Sequence, residues 1–207
     1  MDWSDMPTIT IRLPGKVDAG WKERCTGDQT SYKCSMDRFL TLTVADMEKY
    51  YGEVGPGLAF GYRACQIAFS RLYPGEIPTR GDLFVVGSHS ACPADPVTFI
   101  TGVRYGKDAR NIFNGDLVFD EKLERFSFIF VSQASGKAVK LTCRYPLPQD
   151  FLDLMIKKNQ DPSLVETFWT YAHCLSRYIF TAPETEIFEV TPLDNFDWKQ
   201  YLPEPAA

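Results

Sequence analysis

Tyr51-Gly52-Glu53-Val54-Gly55-Pro56-Gly57-Leu58-Ala59-Phe60-Gly61-Tyr62-Arg63-Ala64 joins two helical patterns through a glycine-rich turn. Upstream, Thr43 stands three residues before Asp46, a capping box with Asp in place of Glu, and opens a helix to about Tyr51. Gly52 to Gly55 break that helix. Pro56 suits the first position of the next one, where a missing N–H costs nothing. The second helix reads to about Tyr73, ahead of Pro74-Gly75, with Leu58, Gly61, Cys65, Ala68, Phe69 and Leu72 on one apolar stripe. Gly61, Ala64 and Ala68 leave room for another backbone to come close. A turn of this kind presents free N–H groups and the positive dipole end to an anion, although taken alone it is ordinary turn chemistry.

Working outward, Asp82–Gly87 reads as a buried strand and Pro93–Gly102 as a short helix. Three further strands are expected at Asp116–Asp120, Phe126–Val131 and Lys137–Cys143, antiparallel to one another. In the last, Val139, Leu141 and Cys143 alternate with Lys140, Thr142 and Arg144, one buried face and one wet. Before residue 40 only Ile9–Leu13 has strand character, and Cys25 and Cys34 fall in a polar loop. Pro146 and Pro148 mark a boundary. Beyond it come a helix at Gln149–Asn159 and a longer one from the cap Asp161-Pro162 to about Phe180. Leu164, Phe168, Ala172, Leu175 and Ile179 form its core stripe, while His173 and Cys174 read as packing residues. A strand at Ile187–Val190 and a loose Pro-rich tail follow. The order of elements predicts an α+β fold: an N-terminal segment 1–39, an α+β unit 40–145, and a C-terminal helical extension 146–207 on the same core.

With 207 residues and 44% hydrophobic content, the chain can bury one sizeable core. A net charge of −5 without any Lys/Arg run argues against nucleic-acid or anionic-membrane binding. No apolar stretch approaches the roughly 18 residues of a membrane span. The N-terminus MDWSDMPTIT lacks the apolar region of a secretory signal, so a cytoplasmic protein with six reduced cysteines is expected. Serine-elbow, phosphate-loop and H-E-x-x-H signatures are missing.

The stretch Tyr51–Ala64 resembles H-G-H-x-C-P-G-x-x-x-G-Y-R, the signature of the FmdE or FwdE family, named for a component of formylmethanofuran dehydrogenase. Ser90 to Gly102, with Cys92 and Asp95, is similar to that family's C-x-x-D-A-x-x-x-x-T-G block. Tyr105-Gly106-Lys107 resembles its F-G-K, and Gly136-Lys137-Ala138-Val139 its G-K-A-V. The resemblance implies a mixed sheet with packing helices, reminiscent of the glyceraldehyde-3-phosphate dehydrogenase catalytic domain, in a homodimer. It also implies a metal site, commonly zinc, built from the His and Cys of the first block and the Cys of the second. Here the family's two histidines fall on Tyr51 and Glu53 and its first cysteine on Gly55, while Cys92 keeps a ligand type. The family's C-terminal zinc ribbon has no counterpart, since no C-x-x-C occurs.

The metal candidates are therefore Cys92, His89 and Glu53, for zinc or iron, with fewer donors than a tetrahedral site needs. Exchanging His and Cys for an aromatic ring and a glycine also enlarges the pocket. Tyr51, Gly55, Tyr62, Arg63, Asp95 and Lys107 are the ligand-binding candidates, with Arg63 and Lys107 able to pair with carboxylates of a planar ligand such as haem or another tetrapyrrole. The leading expectation is a metal- or cofactor-binding accessory protein. The alternatives are an enzyme with Cys92 as nucleophile or Glu53 and Asp95 as acid and base, and a homologue kept for structure alone.

Overall fold

A computed structural model describes residues 2–13, 38–88, 91–103, 105 and 116–201. Cys25, Cys34, His89 and Lys107 lie outside the described residues.

Strand β1 (Ile9–Leu13) pairs antiparallel with β2 (Arg38–Leu42) in a small separate sheet. Helix α1 (Val44–Tyr51) starts on the predicted capping box: Thr43 Oγ1 accepts the Asp46 N–H, and Asp46 Oδ2 accepts the Thr43 N–H. It stops at Gly52, whose φ of +89° is costly for any residue with a Cβ. Helix α2 (Pro56–Leu72) is buried on most of its circumference. Its N-cap Gly55 makes no side-chain cap bond, which for glycine forgoes only about 0.3 kcal/mol. Burial of Leu58, Phe60, Ile67 and Leu72 outweighs that loss, at roughly 1.5–3 kcal/mol for each side chain. Packing holds α2 in place.

The main sheet has five strands in the order β4-β3-β5-β6-β7: β3 (Leu83–Gly87), β4 (Leu117–Phe119), β5 (Phe128–Ser132), β6 (Ala138–Cys143) and β7 (Phe188–Leu193). Helix α3 (Ala91–Thr101) lies between β3 and β4. Strands β5 and β6 pair antiparallel as expected, and β4 opposes β5 in direction, but β4 does not pair with β5: it lies at the sheet edge, parallel to β3. A helical crossover returns the chain in its original direction, which a hairpin cannot do. The remaining pairs are antiparallel. Strand β5 also begins later than expected, because Phe126 has φ +62°, a left-handed conformation that no strand admits.

After β6 come α4 (Gln149–Lys157), a 3-10 turn at Pro162–Leu164, α5 (Val165–Thr181) and the short α6 (Glu184–Ile187), which leads into β7. Phe168, Ala172, Leu175 and Ile179 of the predicted stripe are buried, and α5 packs along α2. The main core lies between α2 and one face of the sheet. On the opposite face Phe84, Val86, Ile129 and Val131 are covered by Phe196, Trp198 and Tyr201. Phe196, Trp198 and Tyr201, in the stretch expected as loose tail, are held on the sheet for that reason: a sheet apolar on both faces needs a lid on each.

Candidate functional site

Two surfaces meet the turn between α1 and α2. Helix α5 covers one: Ser176 Oγ donates to the Val54 carbonyl at 2.9 Å, and a Cβ placed on Gly55 would lie 3.7 Å from the Trp169 ring. Glu53 leaves the turn toward α5 and meets His173 Nε2 at 2.9 Å. The His173 ring sits between Trp169, at 5.8 Å, and Trp3, edge-on at 5.7 Å. Trp3 Nε1 donates to Glu48 Oε1 at 2.9 Å, tying the N-terminal segment to α1. The sequence assigned His173 to packing. It packs between two indoles and also takes the carboxylate of a predicted site residue.

Helix α3 brings the second surface. A Cβ on Gly61 would fall 2.0 Å from the Pro93 carbonyl oxygen and 2.5 Å from the Pro96 ring, so α2 and α3 touch backbone to backbone there. One turn earlier a Cβ on Gly57 would lie 2.3 Å from Cys92 Sγ. The sulfur lies against the first turn of α2, near the Leu58 N–H, one of the donors that Gly55 leaves uncapped. Cys92 thus packs against the first turn of α2 from a neighbouring helix. Desolvation pushes its thiol above the ordinary value, and Asp95 adds to the push. The Leu58 N–H and Arg125 oppose it. Burial likewise raises the Asp95 carboxyl.

Tyr51 closes this corner, its hydroxyl donating to the Asp95 carbonyl at 2.8 Å. Burial, with Asp95, holds that phenol well above its usual range. Tyr51 also packs edge-on against Tyr50, at 4.7 Å, and both lie against Phe99. Tyr50 is 69% exposed and forms the outer edge of this group, whereas Tyr51 and Phe99 are half-buried against the main core.

Cys92, Asp95, Tyr51 and the Gly55–Leu58 turn are thus neighbours, whereas Glu53 is engaged with His173. Tyr62 is fully buried, and its hydroxyl sits between the Leu42 and Pro7 carbonyls at 3.0 and 2.8 Å. Arg63 donates to the Ala182 carbonyl at 3.0 Å and to Gln66 Oε1 at 3.3 Å, joining α2 to the end of α5. Among the described residues no three His, Cys, Asp or Glu side chains form a group that would hold a metal ion. Sequence reading missed Trp3, Trp169 and Arg125. The spacing of four between Trp169 and His173 places them on one helix face, but nothing local ties that face to Glu53.

The chain matches a family model described as FmdE, Molybdenum formylmethanofuran dehydrogenase operon, over residues 50–189. The chain belongs to the FmdE family. In FmdE terms, the matched region runs from the end of α1 into β7 and contains both surfaces of the turn. One solved structure similar to this FmdE-family chain is a tungsten formylmethanofuran dehydrogenase FmdE-like protein from Syntrophus aciditrophicus. It is 16% identical, with a TM-score of 0.49, over 79% of this chain and 75% of that one. No curated protein matches the sequence.

Proposed function

We propose that this chain is an accessory protein related to formylmethanofuran dehydrogenase whose corner of Tyr51, Gly55, Cys92 and Asp95 binds a small organic ligand. Membership of the FmdE family supports the accessory role. The ligand reading rests on one observation: the corner offers a single thiol and a single carboxylate bordered by the exposed Tyr50 ring and the half-buried Tyr51 and Phe99. A bare zinc or iron ion does not fit the described donors. Gly55 supplies none, Glu53 is held by His173, and Tyr51 spends its hydroxyl on a backbone carbonyl. A planar molecule gains stacking area from the aromatic group and hydrogen bonds from the polar pair. A tetrapyrrole is one ligand of that shape, with Cys92 its nearest sulfur. Nucleophilic catalysis by Cys92 is less favoured, because reactive cysteines have lowered thiol pKa values and this one is pushed up. A homodimer is part of the proposal on the family resemblance alone. No described helix is long and apolar enough to cross a membrane.

The test is protein purified without a metal-affinity tag and examined by metal analysis, absorption spectroscopy and mass spectrometry of the denatured supernatant. An organic molecule at about one per chain, reduced in Cys92→Ala, is expected. A haem absorption band lost in Cys92→Ala supports the same site with a tetrapyrrole in it. Stoichiometric zinc without an organic ligand would overturn the proposal.

A further inference from the structure

A groove of about 420 Å³ opens where the turn before β5 meets the end of β6 and the start of α4. Its volume falls in the range of small-molecule sites, about 300–1,000 Å³. Phe126, Tyr145, Leu147 and Leu152 supply apolar walls, with the Cys143 thiol among them. Burial pushes that thiol up to about 11, so it lines the groove as a neutral group.

The charges around the groove are unevenly committed. Glu124 pairs with Lys140 at 3.6 Å. Arg144 uses Nε, at 2.8 Å, and a terminal nitrogen on the Glu189 carboxylate. The Arg125 guanidinium has no hydrogen bond or ion pair among the described residues and lies 4.5 Å above the centre of the Phe126 ring. Phe126 is the least expected part of the arrangement. A bulky residue at φ +62° is strained, by about 1–3 kcal/mol, and persists only where its surroundings enforce it. Here Phe60 of α2 enforces it, stacking on Phe126 at 4.9 Å with the rings 22° apart. Strain of this kind concentrates at ligand clamps. Its effect here is to hold a flat aromatic face under a free guanidinium at the edge of an apolar groove.

We propose that this groove is a binding site for an aromatic carboxylate, with the ring between Tyr145 and Leu152 and the carboxylate on Arg125. A guanidinium presents two parallel N–H donors that match a carboxylate. A neutral ring of the same size has no use for them. The groove proposal does not rest on the ligand reading at Cys92, although the Arg125 charge reaches that thiol, and it survives if that reading fails.

The probe is 1-naphthoate, titrated calorimetrically into the full-length protein, with 1-naphthalenemethanol and inorganic phosphate as controls. Saturable 1-naphthoate binding is expected, with the alcohol and phosphate each at least about tenfold weaker, the size of one charge-assisted contact. Arg125→Gln should weaken 1-naphthoate about tenfold, and Arg125→Lys should recover part of the loss. Arg125 is exposed, so these variants should fold; an unchanged melting temperature checks this. Leu152→Trp, which fills the groove, should abolish binding, and Cys92→Ala should leave it unchanged. No saturable binding, or equal binding by Arg125→Gln and wild type, overturns the site. A loss confined to Cys92→Ala does so too, since it moves the ligand to the other corner.

Discussion

Gly57→Ala probes the contact on which the candidate corner depends. An added Cβ would sit 2.3 Å from Cys92 Sγ and 3.1 Å from Cys92 Cβ, where ordinary carbon contacts lie at about 3.5–4.0 Å. The overlap with sulfur exceeds about 1 Å, and Sγ cannot simply turn away, because Cβ is already tight behind it. Overpacking costs about 1–3 kcal/mol, and an overlap this large with no free direction belongs at about 2–3 kcal/mol. Alanine recovers up to about 1 kcal/mol of helix propensity, so the net destabilisation should be about 1–2 kcal/mol. For a chain of 207 residues that lowers the melting temperature by about 2–8 °C, at 2–4 °C per kcal/mol. Urea denaturation of wild type, Gly57→Ala, Cys92→Ala and the double variant forms a cycle that isolates the pair. Removing Sγ makes room for the new methyl, so the double variant should be more stable than the sum of the singles by at least about 1 kcal/mol. Additivity within about 0.5 kcal/mol would mean that α2 and Cys92 do not meet as described, and the corner would have no physical basis.

Replacing His173 by Ala removes both the Glu53 partner and a ring between Trp3 and Trp169. Stability should fall by about 1–3 kcal/mol and tryptophan emission should shift, whereas Glu53→Gln should cost less, because Glu53 is far more exposed than His173. An unchanged emission spectrum in His173→Ala would count against the stacked arrangement. At α1, Thr43→Ala should cost about 1 kcal/mol through the lost cap. The Asp46 carboxyl is held below its ordinary value, first by its side-chain bond from Thr43 and then by the Thr43 N–H. A depressed carboxyl contributes stability above the unfolded-state value, about 3.9, and loses it as pH falls through the folded one. The gap between wild type and Asp46→Asn in denaturation midpoint should therefore be constant from pH 7 to about pH 5 and shrink as the pH is lowered further.

Much of the fold was legible because its signals are local. Pro56 after a glycine turn, the Thr43–Asp46 box and the alternation through β6 each concern residues a few positions apart, and each element formed where it was expected. Gly61 was legible as a close-approach position, but its partner, the Pro93 carbonyl, was not. Strand β2 went unread because its only reason to be a strand is β1, 29 positions away by register at Ile11 and Leu40. The parallel placement of β4 depends on the path taken through α3. The site divides in the same way. Family motifs singled out Tyr51, Gly55, Cys92 and Asp95, which are neighbours, and also Glu53, which α5 draws off to His173 across 120 residues. Sequence alone determined the five longer helices and most strands, because side-chain chemistry and short-range periodicity are written residue by residue. Tertiary structure alone decided that Cys92 packs against Gly57 at the start of α2, that His173 takes Glu53 and that Arg125 lies over a strained phenylalanine. Those contacts arise only when distant segments compete for the same space and the same unsatisfied donors.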